Sequence, residues 1–359
     1  MIKYAKFTVA LTILLRLEIV FAIDINGQTV VDVNEHNSIQ EAIDHVNANG
    51  GGVVYFPPGE YFNSDCIELP KSTVELRGAN SMTTSITFTS SEPSCGAYLL
   101  LDNHLGTGDI GPWRGNVVNL SLRIWANANP GLPGDPESTC EPAIPDKSCE
   151  PKIPSVIYLR SIAHSKFQDV MIDCNDKIAL GIQLDGSEAQ KPVRFNVFEN
   201  ISIFNCNSEP GGVYLRSAHA LGGVSSNEFR NLIIHNNGKL IGDGQYTDDI
   251  LPAAGMVFEH QETHGNRVFG LNIENSTGYA IEFRNSAKLN HFFGGYVDNN
   301  LLHPDLGPSS PFKCVQDEGE NFMHGVYITG NGPDDKQQFQ YLESDSPEYV
   351  GVNQIKCDE

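Results

Sequence analysis

Ile157-Tyr158-Leu159, Ile182-Gln183-Leu184, Val213-Tyr214-Leu215, Met256-Val257-Phe258 and Ile281-Glu282-Phe283 are five versions of one apolar-x-apolar strand, all lying between Val156 and Asn300. Each is followed by a second unit: Phe167-Gln168-Asp169-Val170, Phe198-Glu199-Asn200-Ile201, Phe229-Arg230-Asn231-Leu232, Val268-Phe269-Gly270-Leu271 and Phe292-Phe293-Gly294-Gly295. From Phe167 to Phe198, Phe229, Val268 and Phe292 the steps are 31, 31, 39 and 24 residues. A repeat of this length, one supersecondary unit each, indicates a solenoid. Alternation with period two makes its elements strands. The chain is therefore expected to be all-β.

The 359 residues begin with a stretch that reads as a secretory leader over 1–22: Lys3 and Lys6, then apolar Phe7 to Leu15, then Val20-Phe21-Ala22. Arg16 and Glu18 interrupt the apolar run, and no stretch here or later is long enough to span a bilayer. The formal net charge is −22, and loss of the leader makes it more negative still. Such a surface argues against nucleic acid and anionic membranes as partners. The sequence points to a secreted, extracellular protein.

Eight cysteines in an exported chain suggest disulfides, and none has zinc-site spacing. Cys174 and Cys206 fall near the ends of equivalent strands in consecutive repeats. Stacked strands lie about 4.8 Å apart, within the roughly 4.4–6.8 Å between bridged Cα atoms, so this pair is predicted to bond. Cys140 and Cys149 are expected to staple a loop.

Ser38-Ile39-Gln40-Glu41 is a capping box, with Glu41 placed to reach back to the helix start. Ile39, Ala42, Ile43 and Val46 then form an amphipathic stripe ended by Gly50-Gly51-Gly52. A short helix here is suited to covering the open end of a strand stack.

The run from Ser38-Ile-Gln-Glu-Ala-Ile through Gly-Gly-Gly-Val-Val-Tyr-Phe-Pro-Pro-Gly-Glu-Tyr61, followed by Val74-Glu-Leu-Arg-Gly78, resembles the opening of pectate-lyase-like proteins. The resemblance extends over roughly Asp32 to Gly330. It implies a single-stranded right-handed parallel β-helix with a short N-terminal capping helix. The handedness agrees with that of parallel crossovers in general. Relatives of this kind include polygalacturonases, exo-β-1,3-glucanases, alginate epimerases and phage tailspikes, so the resemblance implies a polysaccharide partner and either a monomer or a homotrimer. The expected organisation is a leader (1–22), a β-helix domain (23–330) and a C-terminal tail (331–359). A proline-rich insertion with two cysteines (127–154) breaks the repeat, and Cys357 is expected to tie the tail back.

Three glycosylation sequons occur, at Asn119, Asn200 and Asn275. Asn119 and Asn200 share the turn column with Asp169, Asn231, Gly270 and Gly294, where a left-handed residue is suited. That leaves Asn275 as the expected glycan site.

The register also orders a surface. With Leu99 and Leu101 as the preceding coil, the residue after each first strand is Asp102, Arg160, Asp185, Arg216, Glu259 and Arg284. The middle position reads Leu100, Tyr158, Gln183, Tyr214, Val257 and Glu282, with Tyr327 expected from a later coil Val326-Tyr327-Ile328. Both columns should face solvent. A salt-bridge ladder by itself explains the alternating signs. The functional reading is a glycan groove in which Tyr158, Arg160, Tyr214, His260 and His264 hold substrate and carboxylates act on the glycosidic bond.

Asp185 and Glu259 stand two coils apart, about 9.6 Å between backbones at the strand spacing. That is near the roughly 6.5–9.5 Å of inverting hydrolases. Glu259 and Glu282 are one coil apart, and Arg216 between Asp185 and Glu259 would differentiate the two carboxylates. The expected activity is glycoside hydrolysis without a cofactor. The alternative is a polysaccharide lyase or uronate epimerase using Arg216 or Arg284, with Ca²⁺; a third reading is glycan binding without catalysis. Asp243, Asp248 and Asp249 form an acidic loop that suits a cation only weakly, since the spacing is not that of an EF-hand. Polygalacturonases carry N-T-D, D-D, G-H-G and R-I-K motifs. This chain has Asp248-Asp249 and His264-Gly265 but lacks N-T-D and R-I-K, so no catalytic residue is carried over from that family.

Overall fold

The computed structural model describes residues 28–69, 73–90, 93–102, 115–125, 153–177, 179–187, 192–208, 210–217, 222–237, 253–298, 300, 312–315, 321–329 and 353–355. The leader, the 127–152 part of the insertion with Cys140 and Cys149, the loop with Asp243, Asp248 and Asp249, and Cys357 lie outside them.

The central coils visit three sheets in turn. One coil runs from Val213–Arg216 in an eight-stranded sheet, through Val224–Ser225 in a three-stranded sheet, to Glu228–His235 in a fourteen-stranded sheet. The next coil repeats this with Met256–Glu259, Thr263–His264 and Arg267–Glu274, every strand pairing in parallel with its predecessor. The chain is a parallel β-helix, as the repeat predicts. The short third strand was not legible because it is two residues long and carries no repeated pattern.

The inward residues fill the helix. Phe167, Phe198 and Phe229 are buried and stacked, with ring centroids 4.8 and 4.6 Å apart. Within each long strand the predicted turn column is a left-handed bend: Asp169, Asn200 and Asn231 have φ of 54°, 55° and 53°, and Gly270 has 65°. Asn200 donates to Asp169 Oδ1 (2.8 Å) and Asn231 to Asn200 Oδ1 (2.9 Å). The Asn200 amide therefore holds coils together, as its structural assignment requires.

A second ladder runs inside the preceding turn. Asn196, Asn227, Asn266, Asn290 and Asn321 are each fully buried, two residues before an inward Phe, Val or Met. The side-chain oxygens of Asn227, Asn266, Asn290 and Asn321 each accept the backbone N–H of the asparagine one coil earlier, at 3.1–3.2 Å, and that of Asn196 accepts from Ser165 N–H (2.9 Å). In the sequence this column runs at the same spacing as the inward residues that follow it.

At the N-terminal end the helix Ile39–Ala48 buries Ile39, Ala42, Ile43 and Val46. It packs against the first strands of both large sheets. Ser38 Oγ accepts the Glu41 N–H (3.1 Å), while Glu41 reaches one residue past the cap to the Asn37 N–H (3.0 Å). The Gln40 amide pairs with both backbone groups of Glu68 (3.1 and 2.9 Å) on Ile67–Leu69, the edge strand of the eight-stranded sheet. An edge that would otherwise expose hydrogen-bonding groups is satisfied there by one side chain. At the other end Asn353–Ile355 pairs antiparallel with Asn321–Met323, so the tail returns a strand where none was expected.

Cys174 and Cys206 are bonded, with Cα atoms 4.9 Å apart, and Cys66 bonds Cys95. The Cys174–Cys206 loop spans 32 residues, for which chain entropy predicts about 3–4 kcal/mol of stabilisation. Replacing both cysteines by alanine should lower the denaturant midpoint accordingly; an unchanged midpoint would remove the bond from the account of stability.

Candidate functional site: the outer face of the eight-stranded sheet

The charged column forms as read. Asp102, Arg160, Asp185, Arg216, Glu259 and Arg284 are consecutive register partners. So are Leu100, Tyr158, Gln183, Tyr214, Val257 and Glu282. Tyr327 is not among them. Val326-Tyr327-Ile328 lies beyond a left-handed bend at Gly325 (φ 65°) in the fourteen-stranded sheet, where Tyr327 pairs with Tyr296. The coil that follows Ile281–Arg284 is Phe312–Val315, with Lys313 opposite Glu282. The alternating pattern was right but belonged to the other half of the coil.

The column also differs from the expectation of a solvent-facing surface. Tyr158 is 5% exposed, Gln183 1%, Asp185 6% and Glu282 3%. Tyr214, Arg216, Glu259 and Arg284 are half-buried. Period two fixes which way a side chain points but says nothing of what lies over it.

The column divides into locked ends and a different middle. At one end Arg160 pairs with Asp102 (Nε to Oδ2 2.9 Å), and at the other Arg284 pairs with Glu282 (2.8 Å). The first is the cross-strand salt bridge of a structural ladder; the second lies within one strand and takes Arg284 away from its register neighbour Glu259. The middle three charges are held otherwise. Tyr158 donates to Asp185 Oδ2 (2.8 Å) and Ser187 N–H to Oδ1 (2.8 Å). Tyr214 donates to Glu259 Oε2, and Asn285 to Oε1 (3.2 Å). Each tyrosine reaches diagonally to the carboxylate of the next coil, so the same unit occurs twice. Arg216 stands between these units and makes no ion pair with a described residue.

Burial raises the Tyr158 and Tyr214 hydroxyls well above the tyrosine range, and the charges of Asp185 and Glu259 raise them further. Both stay protonated donors. Burial works to lower the Arg216 pKa, but Tyr214, Asp185 and Glu259 around it outweigh that and raise it. The guanidinium keeps its proton.

His260 follows Glu259 in a turn at φ 81°, where its Nδ1 lies 3.4 Å from the Glu262 N–H. His264 is on the three-stranded sheet beside Ser225 and bridges to Lys288, so it is not a member of the column. Asn275 is half-buried at φ 56°, and the nearby Thr277 hydroxyl accepts from Ala253 N–H (3.0 Å). Among the described residues the one cluster with metal-ligand spacing is Cys66, Glu68 and Cys95, and its two sulfurs are already bonded to each other.

Residues 26–126 match the family described as rhamnogalacturonase A/epimerase, pectate lyase-like. No curated protein matches the chain. Several solved structures are similar. ORF18 of Geobacillus virus E2 is 17% identical with a TM-score of 0.43, covering 84% of this chain; the chain spans 62% of that protein. Pectin methylesterase PemA from Erwinia chrysanthemi is 12% identical with a TM-score of 0.39, covering 86% of this chain and 84% of its own. The A-module of Azotobacter vinelandii mannuronan C-5 epimerase AlgE6 is 12% identical with a TM-score of 0.35, covering 86% and 83%.

Proposed function

We propose that this parallel β-helix of the pectate-lyase-like superfamily is an exported, polysaccharide-active enzyme that hydrolyses its substrate at Asp185 and Glu259. The observation that carries the reading is the break in the ladder. The flanking charges are locked in pairs, whereas Asp185, Arg216 and Glu259 stand on successive strands with their charges unpaired by one another.

In this reading the two carboxylates flank the scissile bond two coils apart, a separation that suits inversion through an intervening water. Tyr158 and Tyr214 orient them, because each hydroxyl remains a donor. Half-buried Glu259 is the more accessible of the two and takes the part of general acid; the more deeply buried Asp185, held by Tyr158 and Ser187, takes that of general base. Arg216 supplies a fixed positive charge between them.

The lyase and epimerase alternative needs a base at Arg216 or Arg284. The groups around Arg216 hold its proton on, and Arg284 is paired with Glu282, which favours hydrolysis. Two disulfides support the export assignment, since such bonds persist in oxidising compartments. Glycan attachment at Asn275 belongs to the same proposal.

The test is a product screen across neutral glucans, pectate and alginate, with and without chelator. New reducing ends without ultraviolet absorbance are expected. An unsaturated, ultraviolet-absorbing end would replace hydrolysis by elimination, and binding without product would replace catalysis by recognition.

A further inference from the structure

A second constellation lies on a different face, the outer side of the fourteen-stranded sheet. Two adjacent columns there change character along the axis. In the earlier coils they carry paired charges: Lys166 with Glu199 (3.1 Å) and Arg230 with Glu228 (2.6 Å). In the later coils the first column becomes Arg267, His291 and Phe322, and the second becomes Phe269, Phe293 and His324. Phe269, Phe293 and His324 stack nearly parallel at 4.8 and 4.4 Å, and His291 stacks on Phe322 at 4.8 Å.

A groove of about 380 Å³ opens against this surface, lined by Gly265, Arg267, Phe269, Leu289, His291 and Phe293. That volume lies within the roughly 300–1,000 Å³ of small-molecule sites. Leu289 is 45% exposed on its rim. At Gly265 a Cβ would meet nothing within 4 Å, so the backbone leaves the opening clear.

The chemistry of the lining selects the ligand. Phe293 has both faces covered, by Phe269 and His324, so its edge is what it offers the groove. Ring edges carry the positive part of the aromatic quadrupole and favour oxygen-rich or anionic groups. Arg267 is exposed and makes no ion pair with a described residue; its register partner Glu228 is engaged by Arg230. In a chain of net charge −22, this is a local reversal of sign over an apolar floor. A ligand with C–H faces and a carboxylate meets all three features.

We propose that this groove binds an acidic sugar residue, with Arg267 pairing with its carboxylate and Leu289 and the phenylalanine edges packing against its ring. The site lies outside the charged column and stands whether or not that column is catalytic.

His291 makes the binding pH-dependent. Burial lowers its pKa below the ordinary histidine value, and His324 and Arg267 lower it further; burial also lowers that of His324. The groups facing it are Arg267 from the preceding coil and His324 from the next, its Nε2 3.4 Å from His291 Nδ1. The imidazoles are therefore neutral at pH 7 and gain charge as the pH falls through their lowered values. A sugar carboxylate, with a pKa near that of an aspartate at about 3.9, is still ionised at pH 5. Affinity should accordingly rise as the pH falls through those lowered values, as long as the sugar carboxylate stays ionised.

The experiment is equilibrium binding of an oligogalacturonate and of its carboxyl-reduced counterpart to full-length Glu259→Gln protein, in which turnover is removed. The acidic oligomer is expected to bind, and to bind more tightly as the pH is lowered from 7 towards the carboxylate range, and the reduced oligomer is not. Adding Arg267→Ala should weaken binding at least about tenfold, the worth of one hydrogen bond to a charged group, with no change in melting temperature. Leu289→Asp provides a second variant should the first fail to fold, and it too should weaken binding. Unchanged affinity in both variants, equal binding of the reduced oligomer, equal binding of polyglutamate, or no saturable binding at all would each overturn the proposal.

Discussion

Asp185→Asn and Glu259→Gln are each expected to lower kcat by about 10²–10⁴-fold, the usual contribution of a positioned acid or base, while the protein melts close to the wild-type temperature. The fold tolerates both changes for a geometric reason. An amide at 185 keeps one oxygen for the Ser187 N–H and offers its NH₂ to Tyr158, whose hydroxyl can accept as well as donate. An amide at 259 does the same for Asn285 and Tyr214. The controls are Asp102→Asn and Glu282→Gln in the locked ends of the column. Each breaks a largely buried ion pair, which costs up to roughly 3–5 kcal/mol, so stability should fall with kcat retained. Should Asp185→Asn and Glu259→Gln both turn over at the wild-type rate, the hydrolytic assignment is wrong and the column is a ladder throughout.

The largest stability effect is expected at Asn266. Its side-chain oxygen accepts from the Asn227 backbone N–H (3.1 Å) and from the Asn227 amide (3.0 Å). Its NH₂ donates to Val224 O (2.9 Å) and to Asn290 Oδ1 (3.0 Å). Asn266→Ala strands at least one fully buried N–H and one carbonyl, where water cannot replace the partner. At about 1–3 kcal/mol for each orphaned group, the loss is roughly 2–6 kcal/mol. Asn200→Ala, in the exposed ladder at the outer bend, should cost far less because water can take over its bonds. Calorimetry of the two variants is the measurement. Equal and small losses would show that the buried ladder adds nothing beyond the backbone pairing.

The two ladders explain which parts of the candidate sites were legible. The register of the charged column was readable from Ile182-Gln183-Leu184 and its equivalents, because strands in a solenoid must stack in phase and the apolar residues set that phase. The asparagine column at 196, 227, 266, 290 and 321 obeyed the same phase and was equally readable. The aromatic groove was not. It needs Phe293 aligned with His324, and the triplet Val326-Tyr327-Ile328 reads as a strand of the eight-stranded sheet although it belongs to the fourteen-stranded one. Tyr327 shows why: an apolar-x-apolar triplet occurs in both halves of a coil, and only chain closure decides between them.

The sequence by itself determined the solenoid, its strand register, the left-handed bends at Asp169, Asn200 and Asn231, and the Cys174–Cys206 bond. All of these follow from local periodicity, because neighbouring coils repeat one another. Only the tertiary structure decided that Asp102 and Glu282 are paired off while Asp185 and Glu259 are held by tyrosines. It also decided that the column is largely buried and that Arg267 is left unpaired among the described residues beside a row of rings. Those outcomes depend on side-chain reach across coils and on what covers a face, and a one-dimensional repeat encodes neither.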